Sequence, residues 1–396
     1  MFPELLKPII FAVELKVTEV DNPVLTAILI LFCTAGFIQL FYYLFFYLAP
    51  AIESSKKNSR ETEAPLPSLS VIICARNESS NLRKYLPSVL EQDYPSYEVI
   101  VVNDCSEDDT YSVLGEFIKK YPHLKISNIA KDPRFTHSKK FAQFIGIKAS
   151  ANEILVFTDA DCYPVSDQWL RNMAGRFDPG TDFVLGYGGI IKGKGLLNLY
   201  QRWETMFIAI QYLGMAIRGI PYMGVGRNLA YRRKIFFEKK GYGAHNQIAS
   251  GDDDLFVNSN ATPGKVKTEF RKESHTRTPA APVTAEWTKR KIRHLSTAAY
   301  YKFRHKVLLV TEPASRLAFY ASGITLLLYP FRWQITAAIM AVRLVVMTAV
   351  LYAGSRKLDE KGIIPAALFF DIFSPLLNLV LYSAAIRNKN LRKAWK

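Results

Sequence analysis

The chain has 396 residues, 49% of them hydrophobic and 13% aromatic, with 51 Lys and Arg against 35 Asp and Glu and a net charge of +16. That apolar fraction excludes a disordered chain, and four cysteines exclude a disulfide-stapled secreted scaffold. The positive excess leaves three partner classes to separate: nucleic acid, an anionic membrane surface or a phosphorylated substrate.

Taken in chain order, the first feature is apolar. From Pro23 to Pro50 the one strongly polar residue is Gln39. Val24–Leu48 exceeds the ~20 residues that a membrane-spanning helix needs. A cleaved signal peptide would have a shorter apolar core behind a basic start. Here Glu4, Glu14, Glu19 and Asp21 precede the run against Lys7 and Lys16. Residues 1–50 therefore read as an N-terminal segment with a membrane anchor. A polar linker follows over residues 51–67, and residues 68–307 read as one soluble domain.

The domain opens with a β-branched run, Leu69–Cys74, expected as a buried strand. Arg76-Asn77-Glu78 ends it and leads into a helix to about Gln92. Tyr97–Asn103 reads as a second strand, with Asp104–Asp109 and a helix to about Tyr121 after it. Leu124–Ile129 reads as a third strand, Lys139–Ala149 as a helix and Glu153–Thr158 as a fourth strand. Strands alternating with helices predict an α/β domain with a mostly parallel sheet. In such sheets ligands bind outside the carboxyl ends of the strands. Three of these strands end in acidic or polar clusters: Arg76-Asn77-Glu78, Asn103-Asp104 and Asp159-Ala160-Asp161.

Three more apolar runs close the chain: Ala314–Tyr329, Trp333–Tyr352 and Ile363–Ile386. Each holds a charge, Arg316, Arg343 and Asp371 respectively. Charges at membrane depth are costly, so these should face protein or water, or their segments do not fully span. Lys56, Lys57 and Arg60 flank the anchor, and Lys302, Arg304 and Lys306 precede the second apolar region. The positive-inside rule then places the domain in the cytoplasm, at an inner membrane. It places the basic tail, Arg387 to Lys396, there too. Three full spans over residues 308–396 would put that tail outside. Two spans and one re-entrant or interfacial segment reconcile the counts, with Ile363–Ile386 the first suspect because of Asp371, Pro365 and Pro375.

The clusters suggest chemistry. Asp159 and Asp161 place two hard oxygen ligands at a strand end, which suits Mg²⁺ or Mn²⁺ carrying a diphosphate. Acidic turns are common, and the α/β setting is what favours metal. Ser250–Leu255 packs Asp252, Asp253 and Asp254 together. Like charges so close need metal, base or donors to hold them. A helix N-terminus would account for two of them; a general base is the functional alternative. Gly224–Asn228 is a glycine-rich turn with a cation and an amide. Leu196–Ile220 is amphipathic. Arg290–His294, beside Trp287, Tyr300, Tyr301 and Phe303, suits an interfacial helix, and Arg293 could equally face a diphosphate. None of Cys33, Cys74, Cys105 and Cys162 has zinc-ligand spacing.

In this order the clusters over about residues 68–297 resemble the family 2 glycosyltransferases of GT-A fold. Ser70–Glu78 is similar to the family's opening strand with Arg/Asn-x-Glu. Asn103–Asp108 is similar to its Asp-Asp-Gly-Ser-x-Asp, with Asn103 for the first Asp and Cys105 for the Gly. Ser138-Lys139 stands where the family has Gly-Lys, and Arg290-x-x-Arg293-His294 where membrane-bound members have Gln-x-x-Arg-Trp. The resemblance implies a donor site at Ala75, Arg76, Glu78, Asp104, Lys139, Asp159, Arg290 and Arg293. It implies a metal ligand at Asp161 (Mg²⁺ or Mn²⁺) and a base at Asp253, with Asp252 a near rival. Acceptor contacts are expected from Gly226, Arg227, Asn228 and His294.

The implied function is inverting sugar transfer from a nucleotide-activated donor, UDP favoured, to a lipid-linked or glycan acceptor beside membrane lipids. A ceramide or polyprenol-phosphate glycosyltransferase is the alternative, and a processive polysaccharide synthase a weaker one because the Trp is missing. A nucleic-acid-binding protein has only the net charge in its favour. A non-catalytic subunit of the same fold conflicts with the intact acidic motifs.

Overall fold

In the computed structural model, residues 22–53, 66–131, 138–248, 250–329 and 331–387 are described. The acidic N-terminal stretch, most of the linker and the tail beyond Arg387 lie outside them. Helix α1 runs Pro23–Ile52, with a wider-wound stretch over Tyr42–Tyr47. Asn22 caps it by accepting from the amides of Val24 and Leu25, and Pro23 begins the first turn, where a missing N–H costs nothing.

The domain alternates as expected: β1 (Leu69–Ala75), α2 (Ser79–Leu90), β2 (Tyr97–Asp104), α3 (Thr110–Lys120), β3 (Leu124–Ile129), α4 (Lys139–Ala149) and β4 (Ile154–Asp159). Then come β5 (Tyr163–Pro164), α5 (Trp169–Ala174), β6 (Phe183–Gly186), β7 (Gly188–Ile190), the long helix α6 (Leu196–Ile217), β8 (Leu229–Arg232) and α7 (Arg233–Glu238). Short elements follow: α8 (Asp254–Asn260), β9 (Val266–Glu269), β10 (Thr276–Thr278) and α9 (Thr284–Leu295).

The main sheet has seven strands in the order β3-β2-β1-β4-β8-β6-β9. Strands β3, β2, β1 and β4 pair in parallel, while β8 runs antiparallel to both neighbours. Val71, Ile72 and Ile73 are all buried, because helices cover both faces of a parallel strand. Register places Ala75 opposite Asn103 and Cys74 opposite Asp159, so the polar clusters at three strand ends converge on one edge. A second sheet of three strands, β5-β10-β7, lies apart from the first. This is the GT-A architecture, a mostly parallel sheet between helices.

Among the described residues, three helices are long and apolar enough to cross a membrane: α1, α11 (Trp333–Lys357) and α12 (Ile364–Arg387). Helix α10 (Phe303–Leu328) is not among them, since its first half carries Arg304, His305, Lys306 and Glu312. The segment expected to be re-entrant or interfacial, Ile363–Ile386, forms a continuous helix. Its charge is accommodated by neighbours: Asp371 accepts from Arg316 at 3.1 Å and from Arg343 at 2.5 Å. Arg316 also pairs with Glu312 at 2.8 Å. Gln39 completes the group, accepting from Arg343 at 2.9 Å and donating to Ser315 at 2.9 Å. The three charges that marked the apolar runs thus face one another, together with the one strongly polar residue of α1, Gln39.

Candidate active site

The site lies at the carboxyl edge of the main sheet. Two loops there are laced together. Asn77, at φ 55°, accepts from the Glu107 amide at 2.7 Å, and its own amide donates to Ser106 at 2.9 Å. Asp108 accepts from the amides of Ser79 and Thr110, both at 3.0 Å. Burial would raise its carboxyl, but these donors win and hold it at about 2. Asp108 is therefore a loop brace. Cys105 has φ 53°, a left-handed conformation that glycine adopts without strain, which explains the glycine of the similar motif. Ala75 and Asp104 are wholly buried at this edge, Glu78 nearly so, and Arg76 is half-buried.

Lys139, at the start of α4, ties the two acidic clusters together. Its Nζ donates to Asp159 at 2.8 Å and pairs with Asp252 at 3.2 Å. Burial would lower the Lys139 amine, yet Asp159, Asp252 and Asp253 hold it well above its ordinary value. Conversely, burial would raise Asp159, but Lys139, then Arg227 and Arg293, keep it below the usual carboxylate range. Three cations thus converge on Asp159, whereas Arg290 turns away. It pairs with Glu286 one turn earlier at 2.5 Å, so of this pair it is Arg293 that lies in the field of the site. His294 is exposed in the last turn of α9.

Asp159, Asp161 and Cys162 bring their ligand atoms within 4.8 Å of one another. Burial, with Asp161 and Asp159 beside it, pushes the Cys162 thiol well up, so it stays protonated and is a poor ligand for a hard cation. Asp159 already engages Lys139. The carboxylate oxygens of this turn are chemically suited to Mg²⁺ or Mn²⁺, and Asp161, with no lysine partner among the described residues, would be the residue to hold it.

The acidic triplet divides its labour. Gly251 sits at φ +93°, where a Cβ would also strike Leu255; this turn directs the three carboxylates. Asp252 is buried against Lys139. Asp253 caps α8: it accepts from the Asp254 amide at 2.7 Å and from the Gly226 amide at 2.6 Å. Burial, then Asp252 and Asp254, raise its carboxyl to about 7 against the opposition of Lys139 and Gly226. Asp254 faces the other way, accepting from Tyr301 at 2.7 Å and from Thr297. Its carboxyl is raised by burial, which outweighs those donors.

Of the expected acceptor residues, Gly226 contributes its amide to Asp253. Arg227 bonds the Gly188 carbonyl at 2.8 Å and adds to the positive field on Asp159. Asn228 is placed inside the fold. It is fully buried, donates to the carbonyls of Tyr187 and Ser274 at 2.8 Å each, and accepts from Trp169 at 3.0 Å. With these positions engaged, its side chain is committed to partners within the fold. The amide type was right for a buried junction, and sequence spacing carried no sign of its partners.

Two further residues escaped the sequence reading. Lys140, buried, donates to the carbonyls of His245 at 2.7 Å and Ile248 at 2.9 Å, holding the segment that leads to the acidic triplet. Glu204 of α6 pairs with Lys291 of α9 at 2.8 Å and accepts from Trp287 at 3.3 Å, fixing the helix that carries Arg293. A lysine next to Lys139 and a glutamate inside an apolar helix were the available signals.

Residues 70–238 match the family model for glycosyl transferase family 2; the acidic triplet lies beyond that match. The chain is 38% identical over 124 residues to glycosyltransferase AglE of Haloferax volcanii, 31% of this chain and 39% of that protein. It is 30% identical over 114 residues to a beta-monoglucosyldiacylglycerol synthase of Trichormus variabilis, 28% of this chain and 24% of that one. The matched stretches thus cover less than half of each relative. A mannosyltransferase of Pyrobaculum calidifontis, solved with GDP-Man and Mn²⁺, shares the fold at TM-score 0.52 and 20% identity, over 84% of this chain and 98% of that one. Residues 70–238 are accordingly similar to the glycosyl transferase family 2 domain, and the apolar helices lie outside the matched stretch.

Proposed function

We propose that the protein is an inverting glycosyltransferase held at a membrane, moving a sugar from a nucleoside-diphosphate donor to a hydroxyl of a membrane-proximal acceptor. UDP is the nucleotide that the sequence resemblance favours. The observation that carries this reading is the Lys139 bridge, which joins the Asp159–Asp161 turn to the acidic triplet about a hundred positions later. One cluster handles the diphosphate and the other takes the proton, and the bridge places them side by side.

The donor diphosphate lies against Lys139, Arg227 and Arg293. A divalent cation held at Asp161 would offset the charge that develops on the leaving diphosphate. The acceptor hydroxyl gives its proton to Asp253 while its oxygen bonds to the anomeric carbon. The bond to the diphosphate breaks on the opposite face, so configuration inverts. The Gly226 amide fixes the base carboxylate, and a pKa near working pH suits it to proton transfer. Acceptors of envelope glycan or glycolipid type fit a site flanked by membrane helices; a polyprenol-phosphate or ceramide acceptor falls within the same class.

The domain faces the cytoplasm in this reading: α10, its Glu312 and Arg316 paired inside the helix bundle, crosses beside α1 with α11, and α12 lies along the membrane surface instead of crossing. Support comes from packing. The buried residues Ala367, Phe370, Leu381 and Ala385 of α12 join the core of α6 and α9, with Leu308 and Leu309 of α10 and Met347 and Val350 of α11. The other halves of α10 and α11, with Phe319, Leu326, Ile339 and Met340, pack on α1 in a separate cluster. The outer face of α12, including Phe369, Ile372, Phe373 and Val380, is apolar and exposed, as an interfacial helix requires.

Asp253→Asn tests the base. Turnover should fall by at least ~100-fold, the scale of general-base catalysis, while donor binding measured by calorimetry persists. Retained turnover would remove Asp253 from the role, and the same loss confined to Asp252→Asn would move it there.

A further inference from the structure

The connection between α11 and α12 carries a buried carboxylate that the proposed chemistry does not use. Glu360 is 2% exposed. Its Oε2 accepts from Arg202 of α6 at 3.0 and 2.7 Å, and its Oε1 from Tyr187 at 3.0 Å and from Arg277 of β10. Arg277 also reaches the carbonyls of Leu358 and Asp359, both at 3.3 Å, and Arg202 that of Lys361 at 2.9 Å. A loop between two apolar helices is therefore clamped by two arginines of the domain. Removing one partner of so buried a pairing leaves the others uncompensated.

What the clamp grips is the middle strand of the small sheet. Arg277 stands opposite Tyr163 of β5 and beside Gly189 of β7. A Cβ at Gly189 would meet the Arg277 guanidinium at 2.1 Å, so the glycine lets the side chain cross the strand. Tyr163 follows Asp161 by two residues. The same sheet also holds Arg227, through the Gly188 carbonyl at 2.8 Å and through Thr276, whose hydroxyl donates to the Arg227 carbonyl at 2.9 Å. The small sheet thus frames both the metal-binding turn and a diphosphate-facing cation.

We propose that Glu360 is a positioning residue: through Arg277, the membrane helix pair sets the small sheet and with it Asp161 and Arg227. This rests on reading the Asp159–Asp161 turn as a metal and donor site. Outer-shell groups commonly tune a metal site in this manner, and here the outer shell is supplied from the membrane region.

The test uses the full chain in lipid nanodiscs, with Mn²⁺ binding followed by electron paramagnetic resonance and donor KM measured alongside. Glu360→Gln keeps the shape and removes the charge. It should weaken Mn²⁺ about tenfold, the scale seen when outer-shell partners of metal sites are removed, and raise the donor KM. Arg277→Lys, which keeps charge but loses the fork, should give a smaller shift in the same direction. Asp359→Asn breaks the neighbouring pair with Lys272 at 3.3 Å while keeping the carbonyl that Arg277 reaches and every Glu360 hydrogen bond, and should leave both readouts within about twofold of wild type. Wild-type Mn²⁺ affinity and KM in Glu360→Gln, with a lowered melting temperature, would make the clamp a structural staple and overturn the proposal. If Glu360→Gln fails to fold, unchanged Mn²⁺ affinity in Arg277→Lys overturns it equally. Absence of Mn²⁺ binding in the wild type would instead sink the metal reading on which the proposal stands.

Discussion

At Asp253 one physical cause has two consequences. Burial and two neighbouring carboxylates raise its pKa from 3.8 to about 7. A group whose folded pKa is raised holds its proton more tightly in the native state than in the unfolded chain. Its stabilising effect is therefore present below the unfolded value and is lost as pH rises towards the folded value. Melting of protein stripped of divalent cations should accordingly fall as pH rises from about 4 to about 7, and Asp253→Asn should flatten that slope. The same ionisation should appear in catalysis as an acid limb near pH 7 in kcat/KM, since the base works deprotonated. A limb near pH 4 would show that Asp253 is not the titrating base. The acidic residues were legible in the sequence because carboxylates rarely cluster without a reason. Their separate jobs were not, because Asp252 turns to Lys139, Asp253 to Gly226 and Asp254 to Thr297 and Tyr301.

At the scale of elements, the first turn of α8 is the joint between site and membrane. Asp254 in that turn is held by Thr297 and Tyr301, which lie between α9 and α10. Asn258, on the same helix, bonds His305 of α10 at 3.0 Å. Thr297→Val should cost about 1–3 kcal/mol, as loss of a donor to a buried group generally does, read as a lower denaturation midpoint in detergent. It should also move the acid limb downward, because an Asp254 less free to ionise puts less negative charge beside Asp253. A variant with unchanged midpoint would show that the joint carries no stability. The strands and helices from Leu69 to Asp159 followed directly from residue pattern, since a parallel sheet writes its burial into β-branched runs. The short elements from β5 to β10 did not, for strands of two to four residues carry too little periodicity to read.

At the scale of the molecule, the four charged side chains Glu312, Arg316, Arg343 and Asp371 cancel in sign and pair with one another. Arg343 and Asp371 bind α10, α11 and α12 together with Gln39 of α1. The in-plane placement of α12 makes a prediction at this scale. An epitope added after Lys396 should be reached by antibody from the same side as the domain, in inverted vesicles and not in spheroplasts. Labelling from the opposite side would mean that α12 crosses the membrane. The +16 charge has a matching distribution: Lys139, Arg227 and Arg293 converge on the site, and Arg202 and Arg277 clamp the loop between membrane helices.

By itself the sequence determined the alternation of strands and helices, the acidic clusters at their ends and the apolar ends of the chain, because periodicity and local composition follow from the chemistry of neighbouring residues. Partner choice was decided only in the tertiary structure. Asn228 proved to be a buried junction and Arg290 a partner of Glu286, while Lys139 bridges two clusters and Glu360 reaches into the domain. Each of these depends on long-range packing, which sets the distance between side chains far apart in the chain, and charge alone has no memory of sequence position.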